Sequence, residues 1–373
     1  MRVMIRRGFA LIGFVAVAGC AGVATDAPAR SVLALSLATP VRAACENARF
    51  GFAHCAARIR EDGDVALAGL PKGYGPQDLW SAYSLTDDIG GGAGATAAII
   101  DAYDDPNLLA DVAEYRSTYG LAACGSGCLA KVNQMGGSSL PSPNAGWAVE
   151  ESLDADMVSA LCPNCKILLV EASSASLSDL GAAVSEARTL GATVISTGYT
   201  GAEFEGEDAH SPYDAGRPVT AAAGDSGYGI GYPAALPYVT AVGSTTLKKG
   251  GGGSRGWTET ADGGGGCAQY AKKPAWQHDT FCTTRTDVDA AFVGDPSTGV
   301  AIYDSYQENG WLVVGGTSVG APALAALYAL AGNARTIKNA RTLYAHASKL
   351  YDIPPSGYDE PTGNGTPDGL GAF

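Results

Sequence analysis

Along the chain, short apolar runs rich in β-branched residues alternate with stretches whose apolar positions recur every three or four residues. The runs are ATAAIIDAY (95–103), KILLVEA (166–172), ATVIST (192–197), PVTAAAG (218–224), YVTAVGS (238–244), VAIYDS (300–305) and WLVVGG (311–316). Such runs predict strands buried on both faces. Between the earlier ones, LLADVAEYRSTYG (108–120), WAVEESLDADMVSAL (147–161) and SLSDLGAAVSEARTLG (176–191) predict helices, the last opened by a Ser176/Asp179 capping pattern. Strand and helix alternating in this way predict an α/β fold, a doubly wound, mostly parallel sheet with helices on both faces. Working groups in such sheets collect at the carboxyl ends of the strands, where Asp101, Asp225 and Ser318 fall. The Gly-rich stretch 248–266 reads as a surface loop.

The pattern changes toward the N-terminus. MRVMIRRGFALIGFVAVAGC (1–20) places Arg2, Arg6 and Arg7 ahead of an apolar run of signal-peptide length, too short to span a bilayer. Its end, Val17-Ala18-Gly19-Cys20, resembles a bacterial lipoprotein cleavage site with Cys20 as the lipidated residue; ordinary signal cleavage is the alternative. Either way the chain is expected to be an exported bacterial protein, in the cell envelope or secreted. Residues 21–69 show no firm periodicity and read as a linker or short pro-segment, with the folded domain at 70–373.

Composition narrows the partners. A 373-residue chain that is 46% hydrophobic and 17% charged can bury a sizeable core. A net charge of -14 without a block of like charge makes nucleic acid and anionic membranes poor partners. Membrane contact is expected only through the lipid, and the chain is read as a monomer. Apart from Cys20, eight cysteines lie in four local pairs: Cys45 and Cys55, Cys124 and Cys128, Cys162 and Cys165, Cys267 and Cys282. Structural disulfides suit an exported chain, while a redox pair at Cys162/Cys165, or a zinc site made with Cys124/Cys128, are the alternatives.

The run WLVVGG leads into Gly316-Thr317-Ser318-Val319-Gly320 and a small-residue helix. The pattern Gly-x-Ser-x-Gly matches a hydrolase nucleophile elbow, but that order needs an acid and then a histidine downstream. Residues 319–345 hold no Asp or Glu. A subtilisin-like order with Asp101 and His210 or His278 is formally open, though both histidines read as surface residues and Asp101 as an acid held by turn amides. Carboxylates are the better partners. Glu150 and Asp154 lie four apart on one face of their predicted helix, at the edge of the Val149/Leu153/Met157/Ala160 stripe, with Glu151 further toward solvent. Asp225, between Gly224 and Gly227 after an apolar strand, sits where a carboxyl can be desolvated and kept protonated, and so donate a hydrogen bond to an oxyanion.

Three motifs in order, Glu150-Glu151-Ser152-Leu153-Asp154, Ala222-Ala223-Gly224-Asp225-Ser226-Gly227 and Gly316-Thr317-Ser318-Val319-Gly320-Ala321-Pro322, resemble the sedolisins, the serine-carboxyl peptidases, particularly their bacterial secreted branch. The resemblance runs from Gly73-Tyr74-Gly75-Pro76 to GYDEPTGNGTPDG. It implies a subtilisin-like domain in which Ser318 is the nucleophile, Glu150 the general base, Asp154 its orienting partner and Asp225 the oxyanion acid. Polypeptides would be the substrates and acid the working pH, near the ordinary carboxylate range. It also implies one Ca2+ site, for which Asp352, Ile353, Gly357 and Asp359 are the matching residues in a shortened loop. Two other departures stand out. Fewer than about fifty residues separate Cys20 from the domain start, where the family carries a long pro-domain, and Ser196-Thr197-Gly198-Tyr199-Thr200 replaces the family's usual Ser-x-Ser-aromatic-Gly edge. A catalytically inactive member acting as a surface binding protein is the rival reading.

Overall fold

The first described element is not the Leu70 start that the periodicity suggests. Three short strands precede it: β1 (Val41–Ala43), β2 (Ala53–Cys55) and β3 (Arg58–Arg60). The computed structural model describes residues 39–62, 70–209, 211–226, 231–250, 256–337, 339–355 and 357–373. The signal-like segment 1–20, with Cys20, and His210 fall outside the described residues.

From there the chain runs through α1 (Pro76–Ala82), β4 (Thr96–Ala102), α2 (Leu108–Thr118), β5 (Leu129–Asn133) and α3 (Ala145–Leu161). It continues through β6 (Lys166–Ala172), α4 (Leu177–Thr189), β7 (Val194–Thr197), β8 (Tyr199–Gly201), β9 (Val219–Ala222) and β10 (Thr240–Lys249). The remaining strands of use are β11 (Trp257–Gly263), β12 (Gly266–Lys272), β13 (Thr284–Asp287), β14 (Ala290–Val293), β15 (Val300–Asp304) and β16 (Gly310–Gly315), followed by α5 (Gly320–Leu330).

Among the described residues the central sheet has eight strands in the order β11-β10-β9-β7-β4-β6-β5, with β14 also on β10. All its pairings are parallel except β10 with β11. This is the expected subtilisin-like α/β architecture. Strands β7 and β9 are buried at every position, β4 and β6 at all but the first, which is why they read as unbroken apolar runs. Ser176 caps α4 as its sequence predicts, its hydroxyl accepting from the Asp179 N–H at 3.1 Å. Asn144 does the same for α3, accepting from Gly146 and Trp147.

Three readings change. Within the Gly-rich stretch, residues 257–263 form β11, which pairs antiparallel with β10. Glu151 is fully buried, since α3 packs on α2, α5, β4 and β15 and leaves no face to solvent. Residues 41–60, expected within a linker, are built into the body: β3 pairs with β16, and β2 with β8. The eight cysteines form four disulfides, Cys45–Cys55, Cys124–Cys128, Cys162–Cys165 and Cys267–Cys282, so neither the redox nor the zinc reading has free thiols.

Candidate active site

Ser318 sits in a single 3-10 turn, Thr317–Val319, between β16 and α5, at the carboxyl end of a strand. Gly316 makes the turn. Its φ of +99° is a left-handed conformation, and a Cβ there would lie 2.0 Å from the Ala56 carbonyl oxygen and 2.7 Å from Asp225 Oδ2. Ser318 is wholly buried and its hydroxyl donates to the Gly198 carbonyl at 2.6 Å.

Gly198 links the serine to the acids. A Cβ on it would fall 2.1 Å from Glu150 Oε1 and 3.1 Å from Asp154 Oδ1, so both carboxyls of α3 press against the strand end that Ser318 touches. Only a glycine fits here. Glu150 and Asp154 have no solvent exposure. Neither Glu150 oxygen makes a well-formed hydrogen bond, though the Ser318 hydroxyl and the Ala57 amide lie near it, while Asp154 Oδ2 accepts a long bond from the Ser196 hydroxyl at 3.5 Å.

A third acid, Asp101 at the end of β4, joins them, fully buried and with both oxygens unpartnered. It is not held by the turn amides after it; the Asn107 N–H goes to Asp105 instead. Burial raises the Asp101 pKa from 3.8 to about 8. Burial first, then Asp101, raises Glu150 well above its ordinary range, and the Ser318 hydroxyl and the Ala57 amide offset part of that. Asp154 is raised by burial, then by Asp101 and Glu150. Three carboxyls in a dry site repel one another when ionised, so they hold protons at pH values where exposed acids have lost them.

Asp225 follows β9 and lies on the other side of the serine turn. Its Oδ1 accepts from the Thr317 N–H at 2.8 Å, leaving Oδ2 buried and unpartnered beside Gly316. Burial raises its pKa to about 6, against the pull of Thr317 and of the Arg58 charge. A neutral carboxyl there is a donor aimed at the oxygen of whatever carbonyl lies against Gly316. His278 and His346 are exposed.

The sequence comparison finds kumamolisin of Bacillus sp. (strain MN-32), 29% identical over 356 residues, 83% of this chain and 61% of that protein. Sedolisin of Pseudomonas sp. (strain 101) is 30% identical over 159 residues, 39% of this chain and 27% of that protein. A solved structure of Pseudomonas sedolisin, a serine-carboxyl proteinase complexed with two molecules of pseudo-iodotyrostatin, superposes with a TM-score of 0.65 at 22% identity over 80% of this chain and 96% of that one. The chain is similar to the sedolisins in sequence and shares their fold. It spans less than two thirds of the length of either curated relative, and no protein-family model matches it. Fervidolysin from Fervidobacterium pennivorans, related to subtilisin, shares the fold at TM-score 0.54 and 16% identity, over 78% of this chain and 44% of that one.

The sedolisin resemblance directed attention to Ser318, Glu150, Asp154 and Asp225, and the structure brings all four to one place. Asp101 and Gly198 were missed as parts of it. The signal for Asp101 was its position at a strand's carboxyl end; for Gly198 it was the departure from the family's strand edge. The residues matched to the calcium site lie apart from this group. Both oxygens of exposed Asp352 accept from the Gly357 N–H at 3.1 and 3.0 Å, and both oxygens of Asp359 accept from Thr362. Calcium asks for six to eight oxygens, and these carboxylates are already engaged by donors. With Ile353 and Gly357 able to add only carbonyls, this donor set does not fit the ion.

Proposed function

We propose that this chain is a serine-carboxyl endopeptidase that hydrolyses polypeptides in acid, exported to the cell envelope, where Cys20 would anchor it through lipid, or secreted. The supporting observation is the gathering of one buried serine with the carboxyls Glu150, Asp154 and Asp101 and with Asp225, while His278 and His346 are exposed and His54, half-buried, lies on β2 opposite Thr200. Four disulfides among the described residues suit an oxidising compartment.

Ser318 Oγ attacks the substrate carbonyl carbon while Glu150, in its ionised form, takes the hydroxyl proton. Asp154 and Asp101 share protons with Glu150, so one negative charge across the three suffices to supply the base. Protonated Asp225 donates to the developing oxyanion. Glu150 then passes its proton to the leaving amine, and water, deprotonated by Glu150, releases the acyl group from Ser318.

The pH window follows from the two sides. In strong acid the trio is fully protonated and the base is lost. Above about 6, the Asp225 value, the oxyanion acid ionises and repels the charge it must stabilise. The test is digestion of an unfolded protein across pH 3 to 9 by the purified chain and by Ser318→Ala, Glu150→Gln and His210→Ala variants. Acid-limited cleavage that needs Ser318 and Glu150 supports the reading. A peak at pH 8, or loss of cleavage with His210, would overturn it.

A further inference from the structure

Both donors that reach the Asp225 carboxyl come from Thr317. Its N–H donates to Asp225 Oδ1 at 2.8 Å, and its hydroxyl bonds the same carboxyl. Oδ2 has no partner, so both bonds fall on Oδ1. The hydroxyl is not free to turn elsewhere. The Gly224 N–H donates to Thr317 Oγ1 at 3.0 Å, which occupies a lone pair there and leaves the single hydroxyl hydrogen for the carboxyl.

Packing holds the side chain in that rotamer. Thr317 is buried, and its methyl carbon lies 3.3 Å from the point where a Cβ on Gly264 would stand. The same point is 3.1 Å from the Gly224 carbonyl oxygen. Gly264, with a φ of +86°, lies in the turn between β11 and β12, where glycine both makes the turn and lets its backbone close on Thr317. The end of the Gly-rich stretch is therefore a wall of the site, set against the side chain that holds Asp225.

A protonated carboxyl has two forms, and here one of them is useful. With the proton on Oδ2, Oδ1 accepts from both Thr317 donors while Oδ2–H stands beside Gly316, placed to donate to an oxyanion. With the proton on Oδ1, both Thr317 donors lose their acceptor in a dry site, and Oδ2 turns lone pairs toward the developing negative charge. The N–H by itself leaves Oδ1 a second lone pair free to take the proton. The hydroxyl fills it. The charged groups facing the carboxyl are Arg58 of β3, Asp262 of β11 and Glu150 of α3. They set how firmly the proton is held, whereas the Thr317 donors set where it sits.

We propose that Thr317 is a positioning residue for the hydrolysis: its hydroxyl, fixed by the Gly224 N–H and the Gly264 turn, places the Asp225 proton on Oδ2, the oxygen that faces the oxyanion. The inference rests on the peptidase reading above. The hydroxyl also has an effect of opposite sense on acidity. It bonds the ionised carboxylate as well, and so lowers the Asp225 pKa. Losing it weakens catalysis and yet keeps Asp225 protonated to higher pH. A turn that is merely loosened does the reverse on the pH axis, because admitted water stabilises the ionised carboxylate and lowers that pKa.

The test is the pH–rate profile for hydrolysis of fluorescein-labelled casein from pH 3 to 9, with kcat and KM separated, for the full chain and its Thr317→Val, Thr317→Ala and Thr317→Ser variants. In Thr317→Val, kcat at pH 4 should fall about tenfold or more, part of the roughly 10² to 10³ that an oxyanion donor is worth, with KM little changed. The decline near pH 6 should move to higher pH by about half a unit or more. Thr317→Ser keeps the hydroxyl and should restore both the rate and the position of the decline. If Thr317→Val does not fold, Thr317→Ala must show the same pair of changes. Unchanged kcat without the hydroxyl, or a lowered kcat with the decline unmoved or moved to lower pH, overturns the inference and leaves the peptidase reading standing. Absence of casein hydrolysis by the unsubstituted chain across pH 3 to 9 overturns both.

Discussion

Replacing Asp101 with Asn in a Ser318→Ala background, which removes self-digestion, isolates what the acid trio does to stability. Asp101 is fully buried, both its oxygens lack partners, and burial raises its pKa from 3.8 to about 8. A folded-state value above the unfolded one means that the folded chain keeps a proton the unfolded chain has released. The stabilisation is therefore complete below pH 3.8 and is lost as the pH climbs toward 8. At pH 7 the chain is roughly three pH units into that interval, and each is worth about 1.36 kcal/mol. Asp101 thus lowers stability at pH 7 by about 4 kcal/mol relative to its contribution near pH 4. Asn has nearly the same shape and never ionises, so it escapes that loss. In urea unfolding, Asp101→Asn should match its parent at pH 4 and exceed it at pH 7 by up to about 4 kcal/mol. Glu150 and Asp154 remain, so the pH slope is reduced and not abolished. An equal offset at both pH values would refute the claim that Asp101 holds a proton in the folded state.

Other consequences follow from the same geometry. Gly198→Ala puts a methyl where Glu150 Oε1 lies 2.1 Å away, displacing the base, and should lower kcat about 10²-fold with a smaller change in KM, measured on an unfolded protein substrate. Asp225→Ala should cost about 10² to 10³ in kcat, while the residual activity of Asp225→Asn should lose the decline near pH 6, both read from pH–rate profiles. Asp287 and Glu171 are also raised to about 8, chiefly by burial, so the folded chain should show a higher Tm at pH 4 than at pH 8 in scanning calorimetry of the Ser318→Ala form. A chelator should leave that Tm unchanged, because Asp352 and Asp359 are engaged by Gly357 and Thr362.

The sheet was legible because β4, β6, β7 and β9 are buried on both faces, and a strand with no solvent face writes itself as an apolar run. The helices were legible as elements but not in their environment. A 3.6-residue pattern assigned Glu151 outward, whereas α3 lies among α2, α5, β4 and β15, with Glu151 Oε2 accepting from the Asp105 N–H at 3.0 Å. Segment 41–60 was illegible for a different reason. Its strands are three residues long, too short for a period to register, and their partners lie far along the chain, Gly315 for Arg58 and Gly201 for Ala53. Pairing of that range is a tertiary fact. The site residues were found through order and motif, while the two pieces that join them, Gly198 and Asp101, carry no motif and become visible only when oxygens and Cβ positions are measured.

The short N-terminal segment and the buried acids are parts of one arrangement. Burial is the first cause of the raised pKa of Glu150, and Ala56 and Ala57 are part of what keeps water from it. With that segment in place, Ser318 points to the Gly198 carbonyl and burial holds the Glu150 pKa above its ordinary range. Water admitted to the site would stabilise the ionised carboxylate and lower that pKa toward the ordinary range. Loosening the Cys45–Cys55 loop should therefore shift the acid limb of the pH–rate profile downward.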